Sequence, residues 1–285
     1  MLMRRQVSSN WLAALMARLR RGARSGRGAT AVTLSGPPQW PSAETRHLAP
    51  ERARLLLAVS EYLRQPFYAL SLASEGVLRN LEQAPGSAAL PQMRASLSSL
   101  DDRIDALGLI ASLDSGSLHP ERVDFSVQPL LDRLDVAFGH VAIGKGLRWD
   151  VTPSLARVRS NPVLLERMLA NLVDNAIRFT TTGGVVVSSR LSGSFLLLQV
   201  WDTGLGIDPL YHGRIFEAFF RDAPDGDRGA GLGLPIVQSG ARVLGIDVSL
   251  RSVPGRGSCF SMRVPMVRDA VVRRSLAAAV LSPVG

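Results

Sequence analysis

The chain has 285 residues, 46% of them hydrophobic and 20% charged, enough for an ordinary packed core spread over two domains or one domain with long appendages. Its net charge of +9 is lopsided, because residues 1–50 hold eight arginines against the single acid Glu44 and carry +7 of it, so a pI near 11 describes a basic arm and not the folded part. One cysteine, Cys259, excludes an internal disulfide and a multi-cysteine metal site, and the absence of any run of about 18 apolar residues leaves no membrane-spanning helix to expect.

Residues 1–46 read as a poorly ordered arm rich in Arg, Gly, Ser and Pro, with Trp11–Arg21 as a short amphipathic segment. A solvated tail is the plain reading of this arm. Contact with an anionic membrane surface or nucleic acid is the functional one. No clean small-residue cleavage site follows Trp11–Met16, so the arm is not read as a signal peptide and a cytoplasmic location is expected.

Two helices follow. Leu55, Val59, Leu63, Phe67, Leu70, Val77 and Leu81 recur at three- and four-residue steps over about 48–83, and Met93, Leu97, Leu100, Ile104, Leu107 and Ile110 repeat the pattern after Pro85-Gly86. The hairpin of 47–115 carries an apolar seam wider than one partner covers, which predicts a homodimer through residues 48–114, built as a four-helix bundle. Pro66 should kink its first helix.

After a linker at 115–122 the pattern becomes an α/β alternation over 122–266. Helices are expected at 128–141, 162–179 and 232–244. Strands are expected at 147–151, 156–159, 185–191, 195–201, 246–252 and 258–264. Asn161-Pro162 is a helix start, cap then first position. The arrangement predicts an α+β sandwich. The tail 267–285, basic and then apolar, has no assigned role.

Three segments of this region carry chemistry. Asn171 and Asn175 lie four apart on one helix face with Arg178 beside them: two neutral amide oxygens for a hard cation already bearing phosphate oxygens, and a guanidinium for a phosphate. Asp202 ends an apolar strand and opens Asp-Thr-Gly-Leu-Gly-Ile, placing a carboxylate where it can accept from an adenine amino group, with Gly204 and Gly206 allowing close backbone approach. Gly229, Gly231, Leu232 and Gly233 frame a helix start whose free N–H groups suit phosphate. Singly, each has an ordinary alternative: packed Asn residues, a common turn, a glycine-rich loop. No Lys-Ser/Thr pair makes the loop a Walker motif. Between them, the apolar run 214–220 and the polar run 221–228 read as an anchor and a mobile lid.

In this order the segments "NLVDNAIRFT", "DTGLGI", "IFEAFF" and "GAGLGL" resemble the N, G1, F and G2 boxes of the ATP-binding domain of sensor histidine kinases, a fold shared with gyrase. The resemblance covers roughly 125–265. It implies ATP and Mg2+ as cofactors, with Asn175 as metal ligand and Asn171 beside it on the catalytic face. It further implies Arg178 at phosphate where the family more often has Lys, Phe179 flanking the base where Tyr is common, and Asp202 reading adenine.

The hairpin resembles the same family's dimerisation and phosphotransfer module, whose first helix usually reads Ser-His-Asp-Leu-Arg-Gln-Pro. Here Ser60-Glu61-Tyr62-Leu63-Arg64-Gln65-Pro66 stands instead. Glu61 occupies the phosphoacceptor position and Tyr62 that of the acid expected to orient the imidazole. Gln65 remains where the family can position a water during dephosphorylation of a partner. His47, His119, His140 and His212 lie elsewhere and read as surface or packing residues. The expectation is a degenerate kinase: a regulator or scaffold that pairs with a response regulator or another histidine kinase. The alternatives are an active kinase that phosphorylates a partner on His or Ser/Thr, and a module whose basic arm grips nucleic acid.

Overall fold

The computed structural model describes residues 31–33, 89–220 and 231–267. Its elements in chain order are β1 (Ala31–Thr33), α1 (Ala89–Asp114), β2 (Val123–Ser126), α2 (Gln128–Gly144), β3 (Arg148–Val151), β4 (Arg157–Ser160), α3 (Pro162–Phe179), β5 (Gly184–Ser192), β6 (Phe195–Asp202), α4 (Gly233–Leu244), β7 (Asp247–Val253) and β8 (Gly257–Pro265). A single 3-10 turn, Pro209–Tyr211, lies between β6 and α4.

Six strands form one sheet in the order β1-β7-β8-β6-β5-β3. All neighbours are antiparallel except β3, which runs parallel to β5. The inward residues of these strands are long and apolar. Val185 and Val187, Leu196, Leu198 and Val200, Val248 and Leu250, and Phe260, Met262 and Val264 meet Leu130 and Leu134 of α2, Leu165, Leu169 and Leu172 of α3, and Val237 and Leu244 of α4 in one buried cluster. Burial of each such side chain stabilises by about 1.5–3 kcal/mol, so this layer supplies most of the driving force. The sandwich is therefore helices on one face of a mainly antiparallel sheet, as the periodicities predict.

The central helix α3 forms because an eight-residue face recurs in pairs: Leu164-Leu165, Met168-Leu169, Leu172-Val173 and Ala176-Ile177. Asn161 caps it, its Oδ1 accepting from the Leu164 N–H at 2.9 Å, and Pro162 takes the first position. Its far end is held by Lys145, whose Nζ donates to the carbonyls of Ile177 at 2.6 Å and Arg178 at 2.9 Å. A cation on the last free carbonyls complements the helix dipole.

One expectation needs correction. Ala31–Thr33, read as part of an unstructured arm, instead forms the sheet's edge strand, paired antiparallel with Ser249–Arg251 of β7. The linker at 115–122 holds no helix or strand, and just after it β2, a strand absent from the predicted set, pairs with β4 as a separate two-stranded sheet. Of the predicted hairpin only the second helix, α1, is described. The first helix, with Pro66, lies outside the described residues. So do the remainder of the arm, the lid at 221–228 and the tail from 268. Among the described residues no helix is long and apolar enough to cross a membrane.

Candidate functional site

The three chemistry-bearing segments converge on α3. Asn171 and Asn175 sit on its half-buried side. The Asn171 side chain is fixed by its Nδ2, which donates to the Arg167 carbonyl at 2.8 Å. Its Oδ1 then faces the first residue of α4: a methyl group on Gly233 would lie 2.9 Å from it. The asparagine face and the glycine loop, 62 positions apart in sequence, are thus in contact. The Asn175 amide makes no hydrogen bond among the described residues and stays available to a ligand. Arg178 is engaged by Asp174 on the same helix, Nη2 to Oδ2 at 2.8 Å.

Asp202 ends β6 and is 6% exposed. Both of its hydrogen bonds come from backbone and both end on Oδ1: the Gly204 N–H at 2.8 Å and the Ser258 N–H at 3.1 Å. Burial pushes the carboxyl up to about 7, against the lowering effect of those two donors. The other oxygen, Oδ2, takes neither bond. A buried acceptor held rigid by its twin is the group that suits one amino proton of a flat base.

The turn after Asp202 is fastened at several points. The Leu205 N–H donates to the Phe179 carbonyl at 3.2 Å, Ile207 N–H to Ser252 Oγ at 2.8 Å, and Gly255 N–H to the Leu205 carbonyl at 2.6 Å. The buried His212 bonds the Ile207 carbonyl through Nε2 at 3.1 Å. Gly206 adopts φ +68° and any Cβ there would strike the Val253 carbonyl; one on Gly204 would strike the Phe179 carbonyl. These glycines therefore let the turn pack on its own protein, which differs from the expected approach to a base. Phe179 ends α3 and is 37% exposed, so the flanking position implied by the resemblance is open.

At the glycine loop, Gly231 has φ +69° and its carbonyl accepts from the Phe219 N–H at 3.1 Å, tying the aromatic run to the start of α4. Leu232 is buried against Ala106 and Ile110 of α1, together with Ile236. It is a packing residue that shapes the loop. Gly229, Glu61 and Gln65 lie outside the described residues.

Sequence reasoning missed the Ser258 N–H, the Lys145 cap and the Thr203 hydroxyl, which donates to the Thr182 carbonyl at 3.0 Å and accepts from the Gly184 N–H at 2.9 Å. Backbone donors leave no trace in residue identity. Lys145 did leave one, as the only lysine of the chain.

The residues present fit an adenine nucleotide with a divalent ion: a buried acceptor for the base, an open aromatic edge, free amide oxygens on α3 and a helix start facing them. Among the described residues no group of three or more His, Cys, Asp or Glu forms an independent cation site, so a metal held by Asn175 would need phosphate oxygens to complete its shell.

Comparison with known proteins agrees with this geometry. Residues 160–268 match the family described as histidine kinase-, DNA gyrase B- and HSP90-like ATPase. The chain is 32% identical over 265 residues to the sensor protein CreC of Escherichia coli, covering 85% of this chain and 55% of that protein. It is 30% identical over 223 residues to the sensor histidine kinase RcsC of Escherichia coli, covering 75% and 23%. It thus spans between about a quarter and about half of the length of these curated relatives. Among solved structures, full-length ShkA in complex with AMPPNP superposes with TM-score 0.63 at 27% identity, covering 77% of this chain and 46% of that one. The Acinetobacter baumannii histidine kinase AdeS shares the fold at TM-score 0.53 and 18% identity, covering 71% and 96%.

Proposed function

This chain belongs to the two-component sensor histidine kinase family and carries that family's ATPase-type domain, and on that premise we propose that it binds ATP with Mg2+ but does not phosphorylate itself on histidine. The observation that carries the reading is Glu61-Tyr62 where the family's hairpin has a histidine and an acid. A carboxylate lacks the imidazole's nucleophilic nitrogen, and Tyr62 supplies no charge to orient one. The protein then acts as a dimeric regulator or scaffold toward a response regulator or a second kinase, and bound nucleotide works by ordering the loop at α4.

Within the nucleotide site, Asp202 Oδ2 accepts from the adenine amino group and Phe179 lies along the base edge. Asn175 offers its amide oxygen to Mg2+, which when bound offsets triphosphate charge. Asn171 stays oriented by Arg167. Arg178 reaches phosphate only by exchanging its partner Asp174, which at a half-exposed site costs about 0.3–0.5 kcal/mol.

The test is restoration. Wild type, Asn175→Ala and the double variant Glu61→His/Tyr62→Asp are titrated with ATP·Mg and then incubated with γ-labelled ATP. Wild type should bind and stay unlabelled, Asn175→Ala should bind more weakly, and the double variant should gain acid-labile label. Absence of binding at millimolar nucleotide overturns the reading. A second reading, transfer to a partner, is favoured by the retention of Asn171, Asn175 and Asp202; label appearing on an added partner protein with wild type would establish it.

A further inference from the structure

A buried histidine holds the turn that follows Asp202. His212 closes the 3-10 turn Pro209–Tyr211 and is 2% exposed. Its Nε2 lies 3.1 Å from the Ile207 carbonyl. A carbonyl only accepts, so Nε2 carries the ring proton and Nδ1 is left as a bare lone pair. Nδ1 is buried and meets no partner among the described residues. Leaving it so costs stability that an apolar side chain of similar size would not cost. The imidazole is therefore explained by what Nε2 does at Ile207. Its mount is compact: Asp208 Oδ1 accepts from the Leu210 N–H at 2.9 Å and the Asp208 carbonyl from the Tyr211 N–H at 2.9 Å.

Both polar groups of the Ile207 backbone are gripped by side chains. The carbonyl takes the His212 proton, and the N–H donates to Ser252 Oγ at 2.8 Å. Ser252 Oγ lies 2.9 Å from Ser258 Oγ. The Ser258 N–H in turn donates to Asp202 Oδ1 at 3.1 Å. Asp202, Ser258, Ser252 and His212 are all buried. Polar groups bonded in series away from water hold one another more firmly than exposed ones do. The series leaves Asp202 through Oδ1 and returns to it along residues 202–207, so it closes a ring. Little slack remains in that ring, since Gly206 and Gly257 approach the Val253 and Asp202 carbonyls too closely to admit a Cβ.

We propose that His212 is a positioning residue of the nucleotide site: through the Ile207 carbonyl it fixes the turn 202–207 and, by way of Ser252 and Ser258, the direction in which Asp202 Oδ2 meets the base. The proposal rests on the reading of Asp202 as acceptor for an adenine amino group. His212 touches no nucleotide atom. It acts on selection for that amino group and leaves the phosphate end alone.

The test compares ATP·Mg with the Mg2+ complex of inosine triphosphate, in which a 6-oxo group replaces the amino donor, by calorimetry on the full chain. Wild type should prefer ATP by about 10-fold or more. His212→Leu keeps the bulk and loses the donor. It should cut that preference about fivefold or more while affinity for inosine triphosphate stays within about twofold. General loss of stability would weaken both nucleotides alike. His212→Gln presents an N–H near the Nε2 position and should restore the preference to within about twofold of wild type. Ser252→Ala frees the other side of Ile207 and should resemble His212→Leu, which keeps a readout if His212→Leu does not fold. An unchanged preference in either variant, or an equal fall in His212→Gln, overturns the proposal. If wild type binds neither nucleotide, or both alike, it is the Asp202 reading that fails. The hold of His212 on the turn is then decided without ligand. Amide exchange at Gly204, Ile207 and Ser258 should quicken about 10-fold in His212→Leu and slow again in His212→Gln, with α4 unchanged. Unaltered exchange at those three amides overturns the proposal as well.

Discussion

Asp202 concentrates the demands of the proposed nucleotide site. Its Oδ1 is an acceptor for two backbone donors and its Oδ2 takes neither bond. Asp202→Asn preserves an oxygen for Gly204 and Ser258 but puts an amide N–H where a second donor would arrive. Losing a hydrogen bond to a charged acceptor costs about 1.5–3 kcal/mol. Nucleotide affinity should therefore fall about 10- to 150-fold with the melting temperature of the nucleotide-free protein not lowered, checked by calorimetry and thermal denaturation.

The same carboxyl sets a pH dependence. Its folded value of about 7 lies above the ordinary carboxylate value because of burial. The folded state then holds a proton that the unfolded state has released. Stability from this group is complete below about pH 4 and is lost as pH rises to about 7, by on the order of 4 kcal/mol. The difference in unfolding free energy between wild type and Asp202→Asn should change with pH across that window and flatten above it. Binding runs the other way: the ionised form is the better acceptor, so below pH 7 nucleotide uptake should release a proton, visible as a buffer-dependent binding enthalpy.

Among the elements, α3 carries the site, and both its ends are tied by polar contacts. Asn161→Ala removes the cap and should cost about 1 kcal/mol, lowering the melting temperature by about 2–4 °C without changing nucleotide affinity. Lys145→Met removes the donor on the Ile177 and Arg178 carbonyls, next to Phe179 and the turn that docks on it. That substitution should cost a similar amount in stability and also weaken nucleotide binding several-fold. Comparing the two variants by calorimetry separates helix stability from placement of the base site. Asn161 was legible because capping is a local preference of residue type. Lys145 was not, because its partners lie 32 and 33 positions away.

The largest assembly visible is the contact of α1 with α4. Ala106 and Ile110 of α1 cover Leu232 and Ile236, and Asp114 Oδ1 accepts from Ser239 Oγ at 2.7 Å and Arg242 Nη1 at 2.8 Å. Leu232, just before α4, therefore packs on α1, a route by which nucleotide at the glycine loop would bias the position of that helix. Asp114→Ala should leave nucleotide affinity within about twofold, since exposed pairs contribute about 0–1 kcal/mol. Amide exchange over residues 104–114 should quicken, and its protection by added nucleotide should shrink. Unchanged exchange would remove Asp114 as a latch.

What the sequence by itself determined is whatever repeats locally. The periods of α2, α3 and α4 and the alternation of β3 to β8 predicted those elements to within a few residues, because a 3.6 or 2.0 repeat of apolar side chains requires no knowledge of the partner; the short β1 and β2 carry no such repeat and were not predicted. The Asn pair, Asp202 and the glycines pointed to the ATPase-type domain by residue type and order. Only the tertiary structure decided how these parts are held. It gave Asp202 its second donor at Ser258, turned Gly204 and Gly206 toward their own backbone, put Asn171 against Gly233, and made Ala31–Thr33 an edge strand. Every residue carries a backbone N–H and C=O. Which of them meet across 50 or 200 positions is therefore written in the packing of the whole chain and in no single stretch of it.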